Sequence, residues 1–195
     1  MGLDVDLIQF TDLETEAILK FARASREPGA LNCKAIARAL GLPEKIVGSY
    51  FYSGTKISYA SEKHGPWPLV GEWTSFRSTR ELIEFFTGKN FYFIFPEAIG
   101  DPEYLRPNWA ASRKKLHDIL EQIRQLEPAQ MECYHRQFIL PEIPPQYLEK
   151  VPPAMRATSA QLLETYIAQI EVIIETLDHV LNHERPHEFL LRWSA

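Results

Sequence analysis

Residues 156–183 read Arg-Ala-Thr-Ser-Ala-Gln-Leu-Leu-Glu-Thr-Tyr-Ile-Ala-Gln-Ile-Glu-Val-Ile-Ile-Glu-Thr-Leu-Asp-His-Val-Leu-Asn-His. Leu163, Tyr166, Ile167, Ile170, Ile173, Ile174, Leu177, Val180 and Leu181 recur at spacings of three and four. That period lays an apolar stripe along one face of a helix. The stripe extends over about 30 Å at 1.5 Å per residue. It needs an apolar wall of matching length, because burying each Leu or Ile gains roughly 1.5–3 kcal/mol. Residues 108–127 supply a partner stripe in Leu116, Ile119, Leu120, Ile123 and Leu126. The sequence therefore predicts a C-terminal hairpin of long helices. The stripe either closes an intramolecular bundle or, through Ile170 and Leu177, makes a homodimer or a partner-docking surface.

Upstream of this pair the texture changes. Leu3, Val5 and Leu7 alternate with Asp4 and Asp6, which predicts a strand at a sheet edge with its acids facing water. Thr11 and Glu14 have capping-box spacing and open a helix over about 12–25, ended by Pro28-Gly29. Two short helices, about 33–40 and 43–51, follow. Strands are expected at 56–59 and 69–76, around a turn at Gly65-Pro66-Trp67-Pro68. A helix from Ser78 or Thr79 ends at Gly88, and Phe91-Tyr92-Phe93-Ile94-Phe95 reads as a buried strand. A shorter helix is expected over 128–138. Five prolines between 141 and 153 predict an extended strap. The expected fold is α+β and dominated by helix. An N-terminal α/β part, 1–100, packs with a helical part, 101–195.

Composition sets limits on function. Hydrophobic residues at 45% and charged residues at 24% exclude a wholly disordered chain. The 195 residues carry 21 Lys and Arg against 26 Asp and Glu, a net charge of −5, which argues against a surface covered in nucleic-acid-binding charge. Cys33 and Cys133 form neither a disulfide framework nor a zinc spacing. With no signal-like start and no long apolar run, the expectation is a reduced, cytoplasmic protein that does not enter a membrane.

Residues 33–52 contain Ala37, then Gly41 four positions later, with Ile36, Leu40, Leu42, Val47 and Tyr50 at apolar positions. This segment resembles the helix-turn-helix of bacterial DNA-binding proteins. Two short helices near right angles touch only over a small side chain, and the turn between them takes a positive φ. With the helix at 12–25 and a hairpin at 56–76 the outline is winged-helix-like. The resemblance implies DNA contacts from Lys34, Arg38, Lys45 and Ser49. Locally, residues 17–52 carry six bases against two acids. The second helix offers no Arg or Asn for bidentate base readout.

Glu175, His179 and His183 are spaced by four, which places them along one helix face and makes them candidate metal ligands in a helical bundle, with His117, Asp118 and Glu121 on another helix. Measured from Ile170, however, His179 and His183 lie roughly opposite the apolar stripe at about 100° per residue. Cys133 and His135 are two apart and do not face each other on a helix. Trp67, between two prolines, is a candidate anchor for a partner. No arrangement carries a complete catalytic motif, and no cofactor is implied. The leading expectation is a non-enzymatic interaction protein, binding itself or another protein. A winged-helix-like DNA-binding regulator and a helical-bundle metal-binding protein are the alternatives.

Overall fold

The computed structural model describes residues 4–10, 14–24, 33–41, 54–56, 59–61, 63–70, 76–100, 104–139, 145–150 and 157–194. The fold is mostly helical, with a small antiparallel sheet and a long C-terminal helix. The elements are β1 (Asp4–Phe10), α1 (Glu14–Ala24), α2 (Cys33–Ala39), β2 (Gly54–Lys56), β3 (Tyr59–Ser61) and β4 (Gly65–Val70). Then come α3 (Phe76–Thr87), α4 (Phe91–Ile94), β5 (Tyr104–Leu105), α5 (Trp109–Ile123), α6 (Pro128–Tyr134), α7 (Pro145–Lys150), α8 (Ser159–Leu181) and β6 (Phe189–Ser194).

The helix at 159–181 is the axis of the molecule. Ile170 and Leu177 are both fully buried, as are Val172 and Val180. Helices α5, α6 and α3 pack along it. Arg113, near the start of α5, pairs with Asp178, near the end of α8, while Arg124 at the far end of α5 pairs with Glu171. The two helices are therefore antiparallel, and the predicted hairpin is present. Its capping is local chemistry: Thr158 Oγ1 accepts the Gln161 N–H at 3.2 Å, and Gln161 Oε1 accepts the Thr158 N–H at 2.8 Å.

The main sheet has the order β2-β1-β6-β5, and all its pairs are antiparallel. It takes strands from both sides of residue 100. Strand β1 is interior, not the edge strand its acids suggest. Val5 and Leu7 face the helical body together with Leu105, Phe189 and Leu191. Ile8 and Phe10 face the other way, against Ile18 and Leu19 of α1, with Tyr104 and Leu190. Asp6 is buried on that second face, where Arg192 of the neighbouring strand pairs with it. A charged partner across the sheet, rather than water, satisfies the acid.

Other expectations need correction. Residues 91–94 form a helical turn, not a strand. Phe91, Ile94 and Phe95 are buried while Tyr92 and Phe93 are exposed, a helical pattern, and the Asn90 side chain accepts the Phe93 N–H at 3.1 Å. In the proline-rich segment, 145–150 is helical, with Pro145 at its first position, where its missing N–H costs nothing. The hairpin turn falls at 63–64, so residues 65–68 lie in a strand, and Phe76 begins a helix. Strand β2 pairs with β1 rather than with the β3–β4 hairpin. Residues 135–139 form a π-helical turn. Among the described residues no helix is long and apolar enough to cross a membrane.

Candidate functional site

Helix α3 is amphipathic and ends at Gly88, whose φ of 67° reverses the chain. Phe85 and Phe86, in its last turn, are adjacent and about 100° apart around the helix, so one of them cannot face the core. Phe86 packs inward, while Phe85 is 42% exposed. Its ring centre lies 5.0 Å from that of Phe138 and 5.3 Å from that of Tyr134. Tyr134 and Phe138 stack at 5.2 Å across the start of the π-helical turn. Tyr134 is buried and touches Tyr166 of α8, which makes it a fixed floor. Phe138 is 44% exposed. The result is an aromatic ledge built from α3, α6 and the π-helical turn. It offers apolar area and ring edges, not acid–base or nucleophilic groups.

The residues singled out from sequence are distributed elsewhere. Ile170 and Leu177 are spent within the chain's own core. Trp67 lies in β4, but its side chain is outside the described residues, as is that of Lys34 on α2. Arg38 is exposed; Lys45 and Ser49 lie outside the described residues. Of the segment 33–52, only residues 33–41 lie within the described residues. Ala37 is 1% exposed, and Gly41 has φ 66° with its N–H donating to the Arg38 carbonyl at 3.1 Å.

Glu175, His179 and His183 share a face with Asp178 and Asn182 around a shallow depression of about 360 Å³. Three facts weigh against metal binding there. The His179 and His183 ring centres are 6.2 Å apart. Two imidazoles holding one zinc at about 2.1 Å per nitrogen come closer than this unless the angle at the metal opens toward linear. The Arg185 N–H donates to His183 Nδ1 at 3.1 Å, which in neutral imidazole leaves the proton on Nε2. Asp178 is engaged by Arg113 through both oxygens. Among the described residues, no group of three or more His, Cys, Asp or Glu is placed to hold a metal ion.

Glu171 is a centre that sequence reasoning passed over. It sits in α8 between Ile170 and Val172, and a carboxylate inside so apolar a run signals buried partners. Lys63 Nζ donates to Oε2 at 2.6 Å, His64 Nε2 lies 2.6 Å from the same oxygen, and Arg124 donates to Oε1. Burial pushes the carboxyl's pKa up, but the hydrogen bonds from Lys63, Arg124 and His64 outweigh it and hold the group below the ordinary carboxylate range. So low a basicity suits a clamp between the β3–β4 turn and α8 better than a general base.

Comparison with protein-family models, with characterised proteins and with solved structures gives no match to this chain.

Proposed function

We propose that the chain is a non-enzymatic protein-interaction module whose docking face is the Phe85–Phe138 ledge. The observation that carries this reading is the pair of rings, each more than two-fifths exposed, packed against a buried tyrosine. Rigid aromatic residues lose little conformational entropy on binding and dominate interface energetics. The exposed thiol of Cys133 suits a reduced compartment, which favours the cytoplasm.

The test places a photo-crosslinking amino acid at Phe138 and, as control, at the exposed Glu149 of α7, in cells that make the protein. A discrete protein adduct is expected at position 138 only, lost when Phe85→Asp is added. Adducts equal at the two positions would remove the ledge from consideration. Light scattering distinguishes the partner. A dimer dissolved by Phe85→Asp assigns the face to a second copy; a monomer assigns it to a foreign protein.

A second reading, a winged-helix-like DNA-binding regulator, rests on Ala37 and Gly41, whose burial and left-handed turn are those a crossed helix pair requires. Anisotropy with mixed duplex at low salt tests it. Binding that steepens as salt falls and is lost in Arg38→Glu/Lys45→Glu supports it.

A further inference from the structure

Helix α4 and the start of α5 meet at a basic corner. Lys89 Nζ lies 4.9 Å from the centre of the Phe93 ring, and Lys115 Nζ lies 5.3 Å from the same centre. Phe93 is 41% exposed, and Tyr92 beside it 39%. Lys114 adds an exposed ammonium. Among the described residues, none of these three lysines forms an ion pair, whereas Arg106, Arg113, Arg124, Arg136, Arg185 and Arg192 all do. Asp118 stands one helical turn from Lys114 and Lys115, at a spacing that allows pairing. Lys115 lies over the ring instead. Two positive charges are thus gathered on one aromatic side chain, in a chain of net charge −5, and no carboxylate among the described residues pairs with them.

We propose that Lys89, Phe93 and Lys115 form a docking site for an acidic segment of a partner protein, its carboxylates supplying a counter-charge that the described residues do not. The ring holds the ammonium groups in place by cation–π attraction, so less side-chain entropy remains to be lost on binding. Nucleic acid fits less well. A stacked base needs an open ring face, and here the lysines lie over the ring. A phosphate backbone also needs a longer track of charge than one corner. The site stands without the Phe85–Phe138 reading, because neither of those rings contributes to it.

The test uses a fluorescein-labelled decapeptide of glutamate and glycine, followed by anisotropy at about 0.01 M ionic strength, where exposed charges are least screened. Saturable binding is expected, weakened about tenfold by Lys89→Gln/Lys115→Gln, as the loss of two exposed ion pairs requires. Phe93→Ala, which keeps both charges, is expected to weaken it by a smaller factor. Reversal of Lys20 and Arg23 on α1 should leave it unchanged. Circular dichroism establishes that each variant is folded. The proposal is overturned by any of three results: no binding at low salt, an equal loss in the α1 variant, or an oligothymidine binding the same lysines more tightly than the peptide.

Discussion

Glu171 has both carboxylate oxygens occupied and is only 8% exposed, yet the side chains of two of its donors, Lys63 and Arg124, remain 61% and 41% exposed. Replacing it with Gln frees those donors to water instead of stranding buried charges. Glu171→Gln is therefore expected to cost about 1–3 kcal/mol at pH 7, less than breaking a wholly buried ion pair. The pH dependence has a definite sign. The folded-state pKa is depressed, so folding favours the charged form. Its contribution is complete above the ordinary carboxylate value of about 4.3 and is lost as pH falls through the lower folded-state value. Urea unfolding of the two proteins from pH 7 downward should show the stability gap closing in that acid range. A gap independent of pH would refute the clamp. Ile170, one position earlier, is packed on all sides, and Ile170→Ala is expected to cost about 2–5 kcal/mol in the same assay. Ile170 was legible from periodicity alone, because the stripe is a local property. The partners of Glu171 were not, because Lys63 and His64 arrive from a hairpin more than a hundred positions away. The ledge was half legible: adjacent Phe85 and Phe86 announce that one ring faces outward. The meeting of Phe85 with Phe138 depends on tertiary packing.

At the scale of elements, long periodic helices were readable and short apolar runs were not. Helix α8 begins where Thr158 caps it and ends at Leu181, within a turn of the span its stripe predicts. Its cap is reciprocal, and Thr158→Ala, which removes one half, is expected to lower stability by about 0.5–2 kcal/mol in chemical denaturation, with Thr158→Asp retaining most of it. No loss in Thr158→Ala would mean that the cap contributes nothing. The run 91–95 is five residues long, too short for periodicity to separate strand from helix. What decides it is Asn90, whose side chain caps the turn, and the outward positions of Tyr92 and Phe93. Strand β6 has the same difficulty. Phe189-Leu190-Leu191 is a brief apolar stretch after a long helix, and it becomes a strand only because β1 and β5 flank it. The expected edge position of β1 failed for the complementary reason. Asp6 reads as a solvent-facing acid until Arg192 is placed opposite it, 186 positions along the chain.

For the whole molecule, the pairing of β1 with β6 joins the two ends of the described chain, and β6 is an interior strand of the sheet. Phe189, Leu190 and Leu191 are each completely buried, the first and third against the helical body and the second against the α1 side. At roughly 1.5–3 kcal/mol per buried side chain, these three residues alone contribute about as much as the net stability of a small domain, roughly 5–15 kcal/mol. Their loss also leaves β1 and β5 without a shared neighbour, opens unpaired backbone groups inside the sheet, and removes the arginine that neutralises buried Asp6. Removal of residues 189–195 is therefore expected to abolish cooperative unfolding rather than lower its midpoint. Near-UV circular dichroism should be lost, while the long helices retain part of the far-UV signal. Leu190→Ala keeps the backbone pairing and isolates the packing contribution. It should lower the unfolding free energy by about 2–5 kcal/mol and leave the transition cooperative. If the truncated chain still melted in one sharp transition, the helical body would be a self-sufficient domain and the sheet an appendage. The burial of Val5 and Leu7 in the same core as Ile170 and Leu177 argues against that arrangement. The same topology makes the fold slow to close, because its central strand pair cannot form until nearly the whole chain is in place. Folding should therefore follow collapse of the α5–α8 hairpin, with Leu190→Ala accelerating unfolding more than it slows folding.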